Sequence, residues 1–536
     1  MAPRSKAFHA HRWLCWVTAI GLLLVGIFNV AYSARIQLVE YSDVPLQVDE
    51  RYFASCAARG HVSGPMVSGA CHDNKGPLIF LLHYALQSPE KPYDFFRVKI
   101  AALGLLGVVA LLSSVLAWRI AGWPAAVMCA GMVACTFGIS SGLYALKTEI
   151  LGAAFLMGAL CLLPLGEGKQ TWLRLFFVGV LIGFATLSKQ TYVLTLLPVC
   201  AWLIWGHGAW TRWQLRSGVA QALVVLFGVG AALMTTILLF ANYESSASLL
   251  SSLFLYPSVY GDVPVGSFLQ RAVWRTADIF DVFGSYTPVL ALFASACAMM
   301  FRPEEQPGRV VQWRLMQVLL WTTLALASVL WLAPNFFTYH TIPAWVLMSV
   351  SAAVAATMFL DTMNRPNPHS VYLTVALLAA FAVVTAGRGI IHSSNAKALG
   401  DELSEFRGHG PQYAYVLGMW PHFYTQANMI PASNVVFPWA LPGIGRFWAF
   451  SPPKKDTELA NILARTQQRN LEALYRDFSL TPPRFIAVSD DIAKSAESTR
   501  ITDVPAFDNY LQTHCKYLRD VKDDRERPVK IFTCVP

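Results

Sequence analysis

The chain carries its apolar residues in blocks of about 20, the length needed to cross the hydrocarbon layer of a bilayer. Such blocks fall near 13–33, 98–118, 122–141, 146–164, 172–188, 190–206, 217–241, 284–301, 313–332, 339–360 and 369–387. This pattern predicts a polytopic α-helical membrane protein of about 11 transmembrane helices. Composition points the same way, with 55% hydrophobic and 14% charged residues over 536 positions, against roughly 25% charged in ordinary soluble chains. A soluble enzyme, a disordered chain and a small disulfide scaffold are excluded. The first block follows Arg4, Lys6 and Arg12 and contains Ala31-Tyr32-Ser33, which has the look of a leader cleavage site. Its apolar run is longer than a usual leader core, so the segment reads as an uncleaved anchor.

A formal charge of +9 invites a nucleic-acid reading, but its distribution decides against one. Residues 388–536 hold 18 basic and 16 acidic side chains, so the surplus lies between the membrane blocks. With the N-terminus in the cytoplasm, the inner loops carry Arg119, then Lys169 and Arg174, Arg212 and Arg216, then Arg302, Arg309 and Arg314, and finally Arg365. That is the basic bias expected of cytoplasmic loops in a multi-pass protein of a plasma membrane of the bacterial inner-membrane kind. The outer side then receives the loop 34–97, the turn around Tyr144 to Thr148, the neighbourhood of Lys189, the loop 242–283, the turn 333–340 and everything after Gly387.

Two domains follow, 1–387 in the membrane, including the outer loop 34–97, and 388–536 as an extracytoplasmic α/β domain large enough for its own core. Candidate strands in the second are Tyr413 to Leu417, Asn434 to Phe437, Phe485 to Val488 and Lys530 to Cys534. Helices are predicted over Asp456 to Asp477 and from Pro505 to about His514. Of the ten cysteines, Cys15, Cys129, Cys135, Cys161, Cys200 and Cys297 fall in apolar blocks, where a thiol is a small hydrophobe. Cys56 and Cys71, and Cys515 and Cys534, lie outside them as two local disulfides or four free thiols. No internal repeat, Walker loop, dinucleotide fingerprint, HExxH or paired CxxC motif is present.

The first outer loop holds the adjacent carboxylates Asp49 and Glu50, then His72-Asp73-Asn74-Lys75-Gly76-Pro77-Leu78 and a ten-residue apolar run to Leu86. That run is too short to span and reads as an interfacial helix. An acidic pair and a lysine are thereby kept at one membrane surface. Sugar transfer from a polyprenyl phosphate needs such a layout, since an attacking hydroxyl needs a base and a leaving phosphate needs cations.

On these residues the chain resembles the GT-C class of membrane glycosyltransferases that use polyprenyl-phosphate sugars, the group of protein O-mannosyltransferases and the lipid A aminoarabinose transferase. The resemblance rests on Asp49-Glu50 after the first span, on Lys75-Gly76-Pro77-Leu78 in place of the group's Lys-Pro-Pro-Leu, and on Thr148-Glu149 at a later outer turn. Leu187-Ser188-Lys189-Gln190, Tyr339-His340-Thr341-Ile342-Pro343 and the stretch Tyr413 to Trp439 fit in order. The resemblance implies an inverting transferase in which Asp49 is the base, Glu50 orients it or acts instead, and Lys75 contacts the donor phosphate. Gly76 stands where the group has proline, leaving the backbone there less fixed.

The resemblance adds Lys189 as a further phosphate contact and Asp73, Glu149, Tyr339 and His340 as substrate contacts. Arg271 and Arg275, four residues apart, form either a guanidinium clamp on the donor phosphate or the basic face of a surface helix meeting Asp278 and lipid headgroups. No cofactor is established, and a divalent cation between Asp49 and Glu149 is left open. The partners implied are a polyprenyl-phosphate sugar, a lipid, glycan or protein acceptor, and membrane lipids, with no nucleic acid. A secondary transporter or lipid-linked-sugar flippase, and an oligosaccharide ligase or polymerase, are the rival readings. The first lacks support from matched broken helices. The second is disfavoured by the long first outer loop carrying the acidic pair.

Overall fold

A computed structural model describes residues 3–35, 38–39, 48–64, 76–137, 145–163, 171–205, 212–242, 249, 287–300, 310–332, 338–361, 368–391, 406, 412–417, 422–436, 457–489, 505–522 and 528–535. The chain separates into two compact units. One comprises Met1–Ser42, Lys99–Met234 and Gly266–Asn395, the other Asp43–Val98, Thr235–Val265 and Ala396–Pro536. The sequence boundary at 387 groups the loop 34–97 with the membrane segments, whereas Asp43–Val98 shares its unit with the C-terminal sheet.

The first unit is a helix bundle. Its helices are α1 (Pro3–Arg35), most of α4 (Phe95–Ala121), α5 (Trp123–Phe137), α6 (Thr148–Leu162), α7 (Thr171–Ser188), α8 (Leu196–Trp205), most of α9 (Arg212–Phe240), α10 (Thr287–Met300), α11 (Val310–Leu332), α12 (Ile342–Asp361) and α13 (Pro368–Ile391). Each apolar block of the sequence is largely helical over its described residues. Among the described residues, five helices are long and apolar enough to cross a membrane, Trp13–Arg35, Phe95–Ala121, Thr171–Ser188, Leu215–Phe240 and Ile342–Leu360. The apolar stretches Trp123–Cys135, Thr148–Leu162, Gln190–Trp205, Arg314–Val329 and Val371–Thr385 are shorter. The chain is a multi-pass membrane protein, with helix length alone accounting for five crossings rather than eleven.

At the centre stands α12, which packs against α1, α5, α6, α10, α11 and α13. It is apolar all round, as a helix surrounded by others must be. Its small residues Ala352, Ala353, Ala355 and Ala356 are fully buried, and Ser351 and Thr357 return their hydroxyls to the carbonyls of Leu347 and Ala353 at 3.0 and 2.8 Å. No stray donor is left inside the bundle by these two. The α1–α5 contact is closer still. A Cβ on Gly131 would lie 2.6 Å from the backbone of Leu22 and Leu23, and one on Gly26 would lie 2.8 Å from Gly131 O. Backbones approach this closely in lipid only where side chains are absent. At the end of the bundle opposite Glu149, Arg119 donates to Cys161 O and, at 2.9 Å, to Leu163 O, closing carbonyls left open where α6 stops.

The second unit is built on a five-stranded sheet in the order β2-β1-β3-β5-β4. The strands are β1 (Tyr413–Leu417), β2 (Ile430–Pro431), β3 (Phe485–Ser489), β4 (Cys515–Lys522) and β5 (Pro528–Cys534). Strand β1 runs parallel to β2 and β3, while β5 runs antiparallel to β3 and β4. Helices α15 (Thr457–Leu480) and α16 (Pro505–His514) lay Leu471, Leu474, Phe478, Phe507 and Leu511 on Tyr415, Leu417, Ile486 and Val488. An aromatic group of Phe406, Phe423 and Phe485 packs through T-shaped and tilted contacts, with Phe423 on α14 (His422–Gln426).

The strand expected over Asn434–Phe437 is displaced to Ile430–Pro431, because Ser433 and Asn434 turn toward Asp477 instead. Strand β4 has no counterpart in the sequence reading. Its residues Lys516 to Asp520 are exposed on both faces of a sheet edge, so it lacks the alternation that announces a strand. Cys515 and Cys534 form a disulfide across β4 and β5. Cys56 is also disulfide-bonded, and Cys71 lies outside the described residues. The six cysteines of the apolar blocks are free thiols.

Two further helices belong to this unit, α2 (Val48–Ser63) and α3 (Pro77–Leu86). The expected ten-residue helix at 77–86 is present, with Pro77 in its first turn. Phe53 meets Phe80 edge-on at 5.3 Å, and His61 stacks on Tyr84 at 4.3 Å. Burial holds the His61 imidazole below its ordinary value, against the opposing pull of the Gln87 and Tyr84 backbone and Glu90.

Two outcomes follow from this packing. Gly131→Val forces α1 away from α5, costing on the order of 1–3 kcal/mol, and is read as a lowered melting temperature of the detergent-solubilised protein. Because the fold disfavours charged His61, its contribution is whole above the unfolded value near 6.5 and is lost as pH falls below it. The melting temperature therefore drops on acidification from pH 7 to pH 5, and His61→Gln flattens that part of the profile.

Candidate active site

The acidic pair opens α2. Asp49 and Glu50 lie in its first turn, where carboxylates meet the positive end of the helix dipole. Asp49 is partly exposed and Glu50 is fully buried. Every residue from Glu50 to Gly60 is buried, including two arginines, which requires polar partners inside the fold.

Those partners come from the C-terminal part of the chain. Arg51 donates to Thr425 Oγ1 at 3.2 Å. Arg59 donates from Nε to Asn434 Oδ1 at 2.9 Å, and from Nη1 to Thr481 Oγ1 at 3.0 Å and Pro431 O at 3.4 Å. Ser63 donates to the same Asn434 oxygen at 2.9 Å. Asp477 in turn accepts from Ser433 Oγ at 2.9 Å and from the Asn434 amide at 2.8 Å. Beyond the helix, Tyr93 donates its hydroxyl to Met429 O at 2.5 Å. Burial pulls the Arg59 guanidinium below its ordinary value, and the Asp477 charge opposes that pull.

Gly76, immediately before α3, has φ −69 and ψ 155, values a proline adopts freely. Glycine at this position therefore leaves the backbone in a conformation that proline also adopts. Lys75 and Asp73 themselves lie outside the described residues, as do Arg271 and Arg275.

In the helix bundle, three predicted residues meet. Glu149 sits in the first turn of α6 and is 1% exposed. Its Oε2 accepts from Thr148 Oγ1 at 2.8 Å, its Oε1 is in contact with Lys189 Nζ, and His340 Nε2 stands 3.9 Å from that same oxygen. The local sequence explains each placement. Lys189 occupies the extended residue between α7 and the 3-10 turn Gln190–Thr195, and His340 lies in the 3-10 turn Thr338–Thr341 that leads into α12. Tyr339 shares that turn, with only its backbone described. Lys147, buried just before α6, adds a second lysine near the carboxylate.

Tyr192 and Arg59 escape the sequence reading. The Tyr192 hydroxyl donates to Glu149 O at 2.6 Å, and its ring fills the space a side chain on Gly152 would need. Neither residue interrupts an apolar block as Lys189 does, and neither sits in a recognisable motif. Among the described residues, no three His, Cys, Asp or Glu side chains gather as a metal site.

A family model described as dolichyl-phosphate-mannose-protein mannosyltransferase matches residues 97–235. No curated protein sequence matches the chain. Among solved structures, apo ArnT from Cupriavidus metallidurans superposes with a TM-score of 0.55 at 11% identity, covering 96% of this chain and 98% of that one. The same protein bound to undecaprenyl phosphate gives 0.54 at 11% identity, with 94% and 97% covered. The oligosaccharyltransferase AglB from Archaeoglobus fulgidus, in complex with an inhibitory peptide and a dolichol-phosphate, gives 0.52 at 12% identity, with 96% and 74% covered. The chain thus shares its fold with ArnT and AglB, and its residues 97–235 match the mannosyltransferase family model.

Proposed function

We propose that the protein transfers a single sugar from a polyprenyl-phosphate carrier to a hydroxyl of a cell-envelope lipid, glycan or protein. The observation that carries this reading is the acidic pair Asp49-Glu50 at the head of a buried, firmly anchored helix in a GT-C fold. Two of the matched structures hold polyprenyl-type phosphates, undecaprenyl phosphate in ArnT and a dolichol-phosphate in AglB. The basic inner loops support an N-terminus in the cytoplasm and the sugar-transfer side on the outer face.

In the step proposed, the Asp49 carboxylate takes the acceptor hydroxyl proton while the oxygen forms its bond to the anomeric carbon. The bond from that carbon to the phosphate oxygen breaks, the electron pair leaves with the polyprenyl phosphate, and the configuration inverts. Glu50 orients Asp49 or substitutes for it. Lys75, with Lys189, Arg271 and Arg275, answers the charge that grows on the phosphate. Asp73, Glu149, Tyr339 and His340 contribute to substrate binding.

The test uses purified protein incubated with lipid extract containing charged carriers, with loss of sugar from the carrier followed by mass spectrometry. Wild type consumes the sugar-phosphate lipid, and Asp49→Asn lowers the rate by about 100-fold or more, the scale on which a positioned base acts. An equally active Asp49→Asn removes Asp49 as the base. Uptake of labelled carrier into liposomes without a covalent product supports the transporter reading instead. Glu149→Gln leaves Lys189 beside a neutral amide and loses about 3–5 kcal/mol of stability, as breaking a buried pair does, checked by thermal unfolding.

A further inference from the structure

Arg59 is 3% exposed, yet the oxygens it binds are neutral: an amide, a hydroxyl and a main-chain carbonyl. An apolar side chain of similar volume would spare the fold the desolvation of a guanidinium. A function other than simple core filling accounts for a charge here. Its three acceptors lie 372 to 422 positions away in sequence, so the bonds join α2 to the sheet domain rather than to its own neighbourhood. Asp477 stands behind them, holding through Ser433 and Asn434 the turn that presents two of the three acceptors.

We propose that Arg59 is a positioning residue. With Asn434 and Asp477 it fixes α2 against the C-terminal sheet and thereby fixes Asp49, about 15 Å along the same helix, in the place where it takes the acceptor proton. This rests on the glycosyl-transfer reading above. Arg51 and Arg59 face the same domain, and Ser55 lies between them on the helix. At about 100° per residue, Asp49 and Glu50 fall more than about 100° round from Ser55. The anchored side and the acidic side of α2 are therefore different, and the clamp sets the helix's location while Asp49 stays partly exposed. Lysine is a poor substitute, since one ammonium cannot serve Nε and Nη1 acceptors in the planar spread that arginine provides.

The experiment uses the full chain in detergent as wild type, Arg59→Met, Arg59→Lys and Asn434→Ala. Two quantities are read, carrier-dependent kcat and KM, and amide hydrogen exchange across residues 48–63. Arg59→Met is expected to lower kcat about 10- to 100-fold, the cost of a small misplacement of a reacting group, with KM for the carrier within about twofold of wild type. Exchange rises across 48–63 while β1 and β3 stay protected. Arg59→Lys recovers part of both, and Asn434→Ala moves both the same way by less; these two decide the matter if Arg59→Met does not fold. An active wild type with an equally active Arg59→Met, or unchanged exchange across 48–63, overturns the positioning role alone. Wild type that removes no sugar overturns the glycosyl-transfer reading, and the exchange comparison then reports on the clamp independently of it.

Discussion

A guanidinium withdrawn from water must find its hydrogen bonds inside the protein, and Arg59 imposes that demand on the whole second unit. Three oxygens have to be held at the right places at once, and none belongs to α2. Thr481 lies just past the end of α15, while Pro431 and Asn434 border the turn after β2. That turn keeps its shape because Asp477 accepts from the Ser433 hydroxyl and the Asn434 amide. The parallel pairing of β1 with β2 then sets where the turn begins. The location of the acidic helix is in this sense written into the sheet.

A similar economy governs the bundle. Glu149 is a carboxylate with almost no access to solvent, and such a group survives only with donors and cations around it. Its partners come from three separate places along the chain, Thr148 beside it, Lys189 at the break after α7 and His340 before the central helix. Tyr192 ties the first turn of α6 to the 3-10 segment through the main chain, and a glycine at 152 gives its ring room. Moving α7 or α12 would leave the carboxylate short of a partner. Packing of the helices and satisfaction of this charge are one constraint.

What could be read from residues alone follows from range. Blocks of apolar residues announce helices because the signal is contiguous, and the described part of each block is largely helical. Glu149, Lys189 and His340 stand out because a charge or an imidazole interrupts an apolar run. Helix α2 carries no such announcement: its composition is nearly neutral in hydropathy, yet it is buried from Glu50 to Gly60. The oxygens that justify Arg51 and Arg59 lie more than 370 residues ahead. Asn434, expected to be in a strand, bends away for the same reason, since its amide is claimed by Asp477. Local pattern reports on local bonds, and the second unit is held by distant ones.

That distance has a consequence for how the protein comes into being. Arg59 and Asn434 are separated by 375 residues, and chains are made at about 5–20 residues per second. On the order of tens of seconds must therefore pass, at those rates, between the emergence of the arginine and that of its acceptors. Meanwhile the intervening helices insert while α2 waits with a charge that has nowhere to dock. Strand β5, which sits between β3 and β4, comes later still. The membrane helices are synthesised before the sheet that anchors α2, so the completed α2 clamp is a late event of biogenesis, and a nascent chain halted early would carry the acidic pair unanchored.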